Sequence, residues 1–144
     1  MDIDQIRHLA TRLRQAIEVC PKGGLPIGFR SFPRGACGDT TLVLGAWLED
    51  HGYPGFQYVG GARYLEQGRF QSHAWLELDD LSVDITGDQF GNAFPAIYVG
   101  LPQPLHSRFE IEQRSPGSFR LYDERTRLEM EAAYHAIKQH LQPS

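Results

Sequence analysis

The sequence predicts an α+β fold in which helices pack on a mainly antiparallel sheet. Two observations predict it: amphipathic helical patterns lie towards both ends of the chain, and a series of short strand-like segments lies between them. With 144 residues and 41% hydrophobic content, the chain is long enough to bury one core. We therefore expect a single domain over residues 1–144.

Three segments have the spacing of apolar residues that is typical of helices. The first, Ile3–Val19, carries apolar residues on one face and charged residues, among them Arg14, largely on the other. An apolar helix is predicted from Asp39 onward, and Gly52 ends it. Asp123 predicts the cap of a closing helix with an apolar stripe. We expect these helices to cover the sheet.

Five further segments predict strands, because they are rich in apolar and aromatic residues and end at turn-forming residues. They are residues 56–64, 70–78, 81–85, 96–99 and 109–111. Within the first of them, Gly60 and Gly61 predict a bulge or a close approach by another backbone. The segments follow one another closely, which favours antiparallel pairing between neighbours.

Composition argues against several classes of function. The net charge is −4 and the basic residues are scattered, so nucleic acid is not expected as a partner. No apolar run approaches the ~20 residues that cross a bilayer, and the acidic N-terminus is unlike a signal peptide. We therefore expect a cytoplasmic protein with no membrane partner. Gly23 and Gly24 are not followed by the Gly-Lys-Ser/Thr of a phosphate loop, and no cofactor is expected.

The chain has two cysteines, and their positions differ. Turn-forming Pro33 and Gly35 precede Cys37, which is placed at the N-terminus of the apolar helix. Free N–H groups and the helix dipole favour a thiolate there, so Cys37 is a candidate nucleophile. The alternative is that a small residue simply caps a buried helix. Cys20 precedes Pro21, which ends the first helix, and is interpreted as a packing residue.

A hairpin with residues 79–80 at its tip supplies a candidate base and its partner. In this register Leu76 faces Val83, so apolar residues meet on one side of the hairpin. His73 and Asp84 then project from the other side as diagonal neighbours. Diagonal residues lie ~7–8 Å apart at Cα, a separation that an imidazole and a carboxylate can close to a hydrogen bond. The hairpin therefore predicts a His–Asp pair.

The order of these motifs resembles the transglutaminase-like superfamily of cysteine enzymes. The motifs are Gly35-Ala-Cys37-Gly-Asp39, Gly52-Tyr-Pro54, Gly60-Gly61, Ser72-His73-Ala-Trp75-Leu-Glu77 and Val83-Asp84-Ile-Thr86. The resemblance covers residues 33–86 and implies Cys37 as nucleophile, His73 as base and acid, and Asp84 as the residue that orients the histidine. It also implies a papain-like arrangement, with the cysteine at the head of a helix packed on an antiparallel sheet. One departure is Ile85, which stands where the family often has proline.

Such a triad predicts a cysteine-dependent hydrolase or acyltransferase that cleaves a peptide or amide bond through a thioester on Cys37. Water as the second substrate gives a peptidase or amidase, and an amine gives an acyltransferase. The expected partner is a peptide, a protein or a small amide. An inactive peptide-binding or protein-interaction module on the same scaffold is the alternative. The sequence leaves the oligomeric state open.

Several other residues are candidates for the site. Trp75 and Gln71 lie close to the predicted base and could contact substrate, and Arg34 could bind a substrate carboxylate. The backbone N–H of Cys37 is the preferred donor to an oxyanion. His106, in a proline-flanked loop, is the competing general base. No second cysteine or histidine in motif spacing supports a metal site.

Overall fold

The computed structural model describes residues 1–143 and has an α+β architecture, as predicted. Its helices are α1 (Ile3–Val19), α2 (Cys37–Asp50), α3 (Pro104–Ser107) and α4 (Glu124–Lys138). Its strands are β1 (Gln57–Tyr64), β2 (Phe70–Leu78), β3 (Leu81–Asp84), β4 (Tyr98–Gly100) and β5 (Glu110–Pro116). The predicted positions of β1, β2 and β3 are therefore correct to within one residue, whereas β5 is longer than the predicted segment.

The five strands form one antiparallel sheet in the order β4-β3-β2-β1-β5. Neighbouring strands in sequence pair with each other from β1 to β4, as short connections favour. The last strand does not continue this series but returns to pair with β1. This pairing makes β5 an edge strand of the sheet, next to β1.

The hairpin between β2 and β3 has the predicted register. Leu76 pairs with Val83 and Leu78 pairs with Leu81, which leaves two residues at the tip. Asp79 takes a positive φ of 53° there, a conformation that aspartate tolerates better than most residues. The register prediction from apolar pairing is confirmed.

The glycine pair in β1 lies at an irregularity in its pairing with β5. The register shifts between Gly60 and Gly61, as the predicted bulge requires. A Cβ on Gly61 would lie 2.8 Å from the carbonyl oxygen of Glu110, which is too close for any side chain. Both parts of the prediction, a bulge and a close backbone approach, are therefore present at one position.

Helices α1 and α2 pack on one face of the sheet, and α4 packs against these two helices; together they form the main core. This core contains Ile6, Leu9, Leu13, Ile17, Val43, Leu44, Trp47, Leu48, Leu76, Val83, Val99, Phe119, Met130, Tyr134 and Ile137, among other buried residues. A smaller cluster on the opposite face contains Val59, Trp75, Leu105 and Phe109. Because side chains alternate along a strand, His73 and Asp84 project towards the smaller cluster.

One residue of α1 does not lie where the helical pattern predicts. Arg14 is 7% exposed, and its guanidinium forms two hydrogen bonds with the Asp88 carboxylate, at 2.7 and 2.8 Å. It also donates to the carbonyl oxygen of Ile85 at 2.7 Å. The prediction of a solvent-facing Arg14 is wrong, because its long side chain reaches under the segment that follows β3 and pairs there. This ion pair holds that segment against α1.

Helix α2 begins at Cys37, two residues before the predicted start. Ala36 occupies the N-cap position and offers no side chain that could accept from the first-turn N–H groups. The carbonyl of Ala36 accepts the N–H of Thr40 at 2.9 Å, which starts the helical ladder. The thiol therefore lies at the uncapped N-terminus of a 14-residue helix. None of the helices in residues 1–143 is both long enough and apolar enough to cross a membrane.

Candidate active site

A histidine and a carboxylate form the buried part of the site. The Nε2 atom of His73 lies 2.7 Å from Oδ2 of Asp84, and the two residues are 1% and 2% exposed. The other carboxylate oxygen, Oδ1, accepts the backbone N–H of Thr86 at 3.0 Å. The predicted diagonal contact between β2 and β3 is confirmed. Because the carboxylate occupies Nε2, Nδ1 is the ring atom left for proton exchange.

Aromatic rings enclose the imidazole of His73. The rings of Trp75, Phe90 and Phe109 have centroids 5.5, 5.0 and 5.6 Å from it. Burial lowers the pKa of His73, but the Asp84 carboxylate and the neighbouring Cys37 thiol outweigh burial and raise this pKa to about 9. The same pairing with His73, with a contribution from His106, holds the pKa of the Asp84 carboxyl well below its ordinary value despite complete burial. At neutral pH the pair is therefore an imidazolium and a carboxylate.

Cys37 lies beside this histidine. The two residues line the same cleft, and the interaction between the sulfur and the imidazole is one of the contributions to the raised pKa of His73. The thiol is free and only partly buried, so its sulfur is accessible from the cleft. The structure therefore brings together Cys37, His73 and Asp84, which are separated by up to 47 positions in the chain (84 − 37).

The cleft has a volume of about 310 Å³ and opens to solvent. It is lined by Cys37, Gly38, Tyr58, Gly60, Gly61, Ser72, His73, Ala74, Glu112 and Gln113. Glycine, alanine and serine residues of β1 and β2 form much of this lining, so side chains leave the strand backbones accessible. Burial raises the pKa of Tyr58 to about 12, with a smaller contribution from Cys37. Its hydroxyl is consequently a proton donor inside the cleft.

His106 lies on the other side of the Asp84 carboxylate. Its Nε2 atom is 2.7 Å from Oδ2, the same oxygen that contacts His73. Its Nδ1 atom accepts the backbone N–H of Gln103 at 3.1 Å, and the residue is 3% exposed. Both ring nitrogens of His106 are thus engaged in hydrogen bonds within the protein. His106 is not among the residues that line the cleft, and this geometry does not make it the base for Cys37.

Gln89 connects the histidine to the segment that precedes the cysteine. Its Nε2 atom lies 3.3 Å from Nδ1 of His73 and donates to the carbonyl of Thr86 at 3.1 Å. Its Oε1 atom accepts the backbone N–H of Gly35 at 3.4 Å. An amide N–H directed at Nδ1 favours the neutral ring, so Gln89 acts against Asp84 and Cys37 in setting the charge of His73.

The three predicted substrate-contacting residues lie outside the cleft lining. Trp75 is buried, packs against His73 and donates from its indole nitrogen to Glu77 at 2.9 Å. Gln71 is half-buried on β2, and Arg34 is exposed in the loop before Cys37. Trp75 thus forms a wall behind the histidine. The substrate contacts of Gln71 and Arg34 stay predictions.

His73, Asp84 and His106 also form a group of potential metal ligands. One donor atom from each lies within 4.8 Å of the others. The Gln103 N–H that points at Nδ1 of His106 requires a lone pair there, which places the ring proton on Nε2. A protonated Nε2 donates to Asp84 and cannot bind a metal ion at the same time. The donor set therefore fits a hydrogen-bonded cluster better than a metal centre.

Sequence reasoning did not identify two of these residues, Gln89 and Tyr58. Gln89 lies in an irregular segment, and no motif marks it. Tyr58 begins the glycine-containing part of β1, but its role depends on the packing of α2 across that strand.

Comparisons of the chain with protein-family models, curated proteins and solved structures found no match.

Proposed function

We propose that this protein is a cysteine-dependent hydrolase or acyltransferase that acts on a peptide or amide bond through a thioester on Cys37. The observation that carries the proposal is the shared cleft of Cys37 and His73, with the far ring nitrogen of His73 bonded to buried Asp84. A nucleophile, a base and an orienting acid in this order form a working unit. The proposal includes membership of the transglutaminase-like superfamily, which the ordered motifs support, and a cytoplasmic location.

The charge of the histidine suits the first chemical step. With a pKa of about 9, His73 carries a proton at neutral pH. The Cys37 thiolate attacks the carbonyl carbon of the substrate, a C–S bond forms, and the carbonyl π electrons move to oxygen. When the intermediate collapses, the C–N bond breaks and the amine leaves with the proton from Nδ1 of His73. A thioester on Cys37 and a neutral imidazole remain.

The second step returns the enzyme to its starting state. Neutral His73 takes a proton from water or from an amine as that molecule attacks the thioester. The C–S bond then breaks, and the sulfur leaves as a thiolate beside the imidazolium. Water yields a carboxylic acid, whereas an amine yields a new amide. Asp84 keeps the Nε2 proton of His73 in place throughout, so that Nδ1 alone changes its protonation.

Two donors are placed to stabilise the oxyanion. The first-turn N–H groups of α2 have no side-chain cap, and that of Cys37 is the nearest to its own sulfur. The Tyr58 hydroxyl also reaches this turn, because a Cβ on Gly38 would lie 3.4 Å from it. The raised pKa of Tyr58 keeps that hydroxyl protonated. We therefore assign Tyr58 a role as the second oxyanion donor.

The cleft favours an extended acyl group with little bulk next to the carbonyl. Gly60, Gly61 and Ala74 leave room beside the thiol for a backbone-like segment. Glu112 contributes a negative charge to the lining and would disfavour an acidic side chain there. A peptide or protein segment meets both conditions, and so does a small amide.

The test is formation and turnover of an acyl-enzyme. The protein is mixed with p-nitrophenyl acetate at neutral pH, and intact mass and peptide mapping locate the acetyl group. We expect the acetyl group on Cys37, its loss in time with nitrophenolate turnover, and amide formation when a primary amine is added. The Cys20→Ser variant is the matched control and should behave like the wild type. A peptide mixture, analysed by mass spectrometry, then tests whether amide bonds are cleaved.

A second outcome identifies the alternative. An inactive peptide-binding module would acylate Cys37 only slowly, as a partly exposed thiol does without a base, and without turnover. A His73→Ala substitution would leave such background acylation unchanged. That result would contradict the proposed enzyme and would favour a protein-interaction role for the cleft.

A further inference from the structure

Asp84 serves two histidines through a single oxygen atom. Nε2 of His73 and Nε2 of His106 each lie 2.7 Å from Oδ2. The two imidazole rings are nearly parallel, at an interplanar angle of 9° and a centroid separation of 6.2 Å. The proposed chemistry uses only His73. The second histidine is therefore a buried titratable group with a short hydrogen bond but no assigned role.

The backbone fixes how His106 meets the carboxylate. Gln103 precedes α3 and donates its N–H to Nδ1 of His106 at 3.1 Å. This contact requires a lone pair on Nδ1 and places the proton on Nε2, which then donates to Asp84. Pro104 in the first turn of α3 holds the local backbone in helical geometry. The orientation of the ring is therefore set without any contribution from substrate or from Cys37.

We propose that His106 is a positioning residue that limits how strongly Asp84 stabilises the imidazolium form of His73. The inference rests on the proposed function, in which Nδ1 of that imidazolium gives its proton to the leaving amine. His106 does not touch the cleft and acts only through the shared oxygen.

The physical reason is competition for one acceptor. Each N–H donor withdraws electron density from Oδ2, so a second donor weakens the bond that the first can make. With His106 in place, the Asp84 carboxylate stabilises the His73 imidazolium less than it would if it were hydrogen-bonded to His73 alone. The histidine consequently releases its proton to the leaving amine more readily. Removal of His106 should make the imidazolium more stable and slow this release.

Other charged or titratable groups near the pair must be held constant. They are Cys37 from α2, Tyr58 from β1, Tyr98 from β4, Glu112 from β5, and the Arg14–Asp88 ion pair in the segment after β3. Neither of the substitutions used below alters any of them. The rings of Trp75 and Phe109 complete the enclosure and carry no charge.

The experiment follows the ring nitrogens of the histidines by ¹⁵N nuclear magnetic resonance as a function of pH. In His106→Phe, which keeps an aromatic ring but lacks the donor, the titration midpoint of His73 should rise by roughly half to one pH unit. In His106→Gln, which restores an amide donor, the rise should be less than half as large. In the wild type, the chemical shifts of His106 should identify the tautomer with the proton on Nε2.

Two results would overturn the inference. One is an unchanged His73 titration in a folded His106→Phe variant, which would make His106 a packing residue only. The other is a wild-type His106 with its proton on Nδ1, a result that needs no variant to fold. Neither measurement depends on catalysis. A protein that forms no acyl-enzyme but shows the His73 shift would therefore refute the proposed function and leave this coupling intact.

Discussion

The two cysteines lie at opposite ends of two helices, and their surroundings differ accordingly. Cys20 is the C-cap of α1, where the helix dipole is negative, and only 4% of it is exposed. Burial raises the pKa of Cys20, and nearby Lys22 offsets only part of this effect. Cys37 begins α2, where first-turn N–H groups are uncapped, and it shares an open cleft with His73.

This difference shows that the reactivity of a cysteine depends on which end of a helix it occupies and on the groups that surround it. The environment of Cys20 disfavours a charged sulfur and offers it no base. The environment of Cys37 supplies an imidazolium, backbone donors and access for a substrate. The same side chain is therefore buried in the packing at one helix end and, in the proposed function, serves as the nucleophile at the other.

The largest expected effect comes from replacing these two cysteines one at a time. Cys37→Ala should abolish acyl-enzyme formation, because the thioester forms on the sulfur that this substitution removes. Cys20→Ser should retain acylation and turnover near the wild-type rate, since Cys20 does not contact the cleft. Acylation rates by intact mass spectrometry measure both. An equal loss of acylation rate in the two variants would indicate that the cysteines act together, and it would contradict the difference described between them.

A smaller loss is expected from the acid that orients the histidine. Asp84→Asn should reduce the acylation rate roughly 100- to 1,000-fold, because the ring loses both its fixed orientation and the charge that stabilises the imidazolium. Some activity should persist, since the sulfur and its backbone donors stay in place. Asp80→Asn, at an exposed carboxylate in the tip of the β2–β3 hairpin, is the matched control and should leave turnover largely unchanged. An Asp84→Asn variant with full activity would show that the Asp84 carboxylate takes no part in the mechanism.

Much of the site could be predicted from local patterns. The apolar pairs of the β2–β3 hairpin determine its register, and that register alone brings His73 to Asp84. The turn before α2 predicts the position of Cys37 at a helix N-terminus. These features depend on residues close together in sequence, where side-chain periodicity and turn chemistry have direct structural consequences.

The rest depends on contacts between distant segments. The pairing of β5 with β1 places Glu112 in the cleft, but no local pattern predicts which strand covers the open edge of β1. His106 was identified from sequence only as a competing base, because its contact with Asp84 requires the fold of the loop around α3. Arg14 shows the same limit, since helical periodicity cannot predict that a charged side chain will find a buried partner.

The His73–Asp84 pair should also make stability depend on pH. His73 has a folded-state pKa of about 9 and an ordinary value of 6.5, so its contribution is complete below pH 6.5 and is lost as pH rises towards 9. We expect the free energy of unfolding to fall by on the order of 3 kcal/mol over this window. The lowered pKa of Asp84 predicts a separate loss in acid, below the ordinary range of a carboxyl.

Denaturant unfolding at several pH values tests this prediction. The Cys20→Ser/Cys37→Ala background removes thiol ionisation from the comparison. In that background the fall in the free energy of unfolding between pH 6.5 and 9 should be smaller by the contribution of the Cys37 thiol. An added Asp84→Asn substitution should nearly eliminate the fall that remains. A stability that is constant from pH 6.5 to 9 with Asp84 present would show that the pair is not an ion pair in the folded protein.

The most direct measurement is the rate of Cys37 alkylation by iodoacetamide as a function of pH, in a Cys20→Ser background with and without His73→Ala. An ordinary thiol has a pKa of about 8.5 and is almost wholly protonated at pH 6. We predict that Cys37 reacts appreciably at pH 6 when His73 is present, and that His73→Ala moves the whole profile to higher pH. A wild-type rate that rises only near pH 8.5 and is unaffected by His73→Ala would contradict the coupling of sulfur and imidazole.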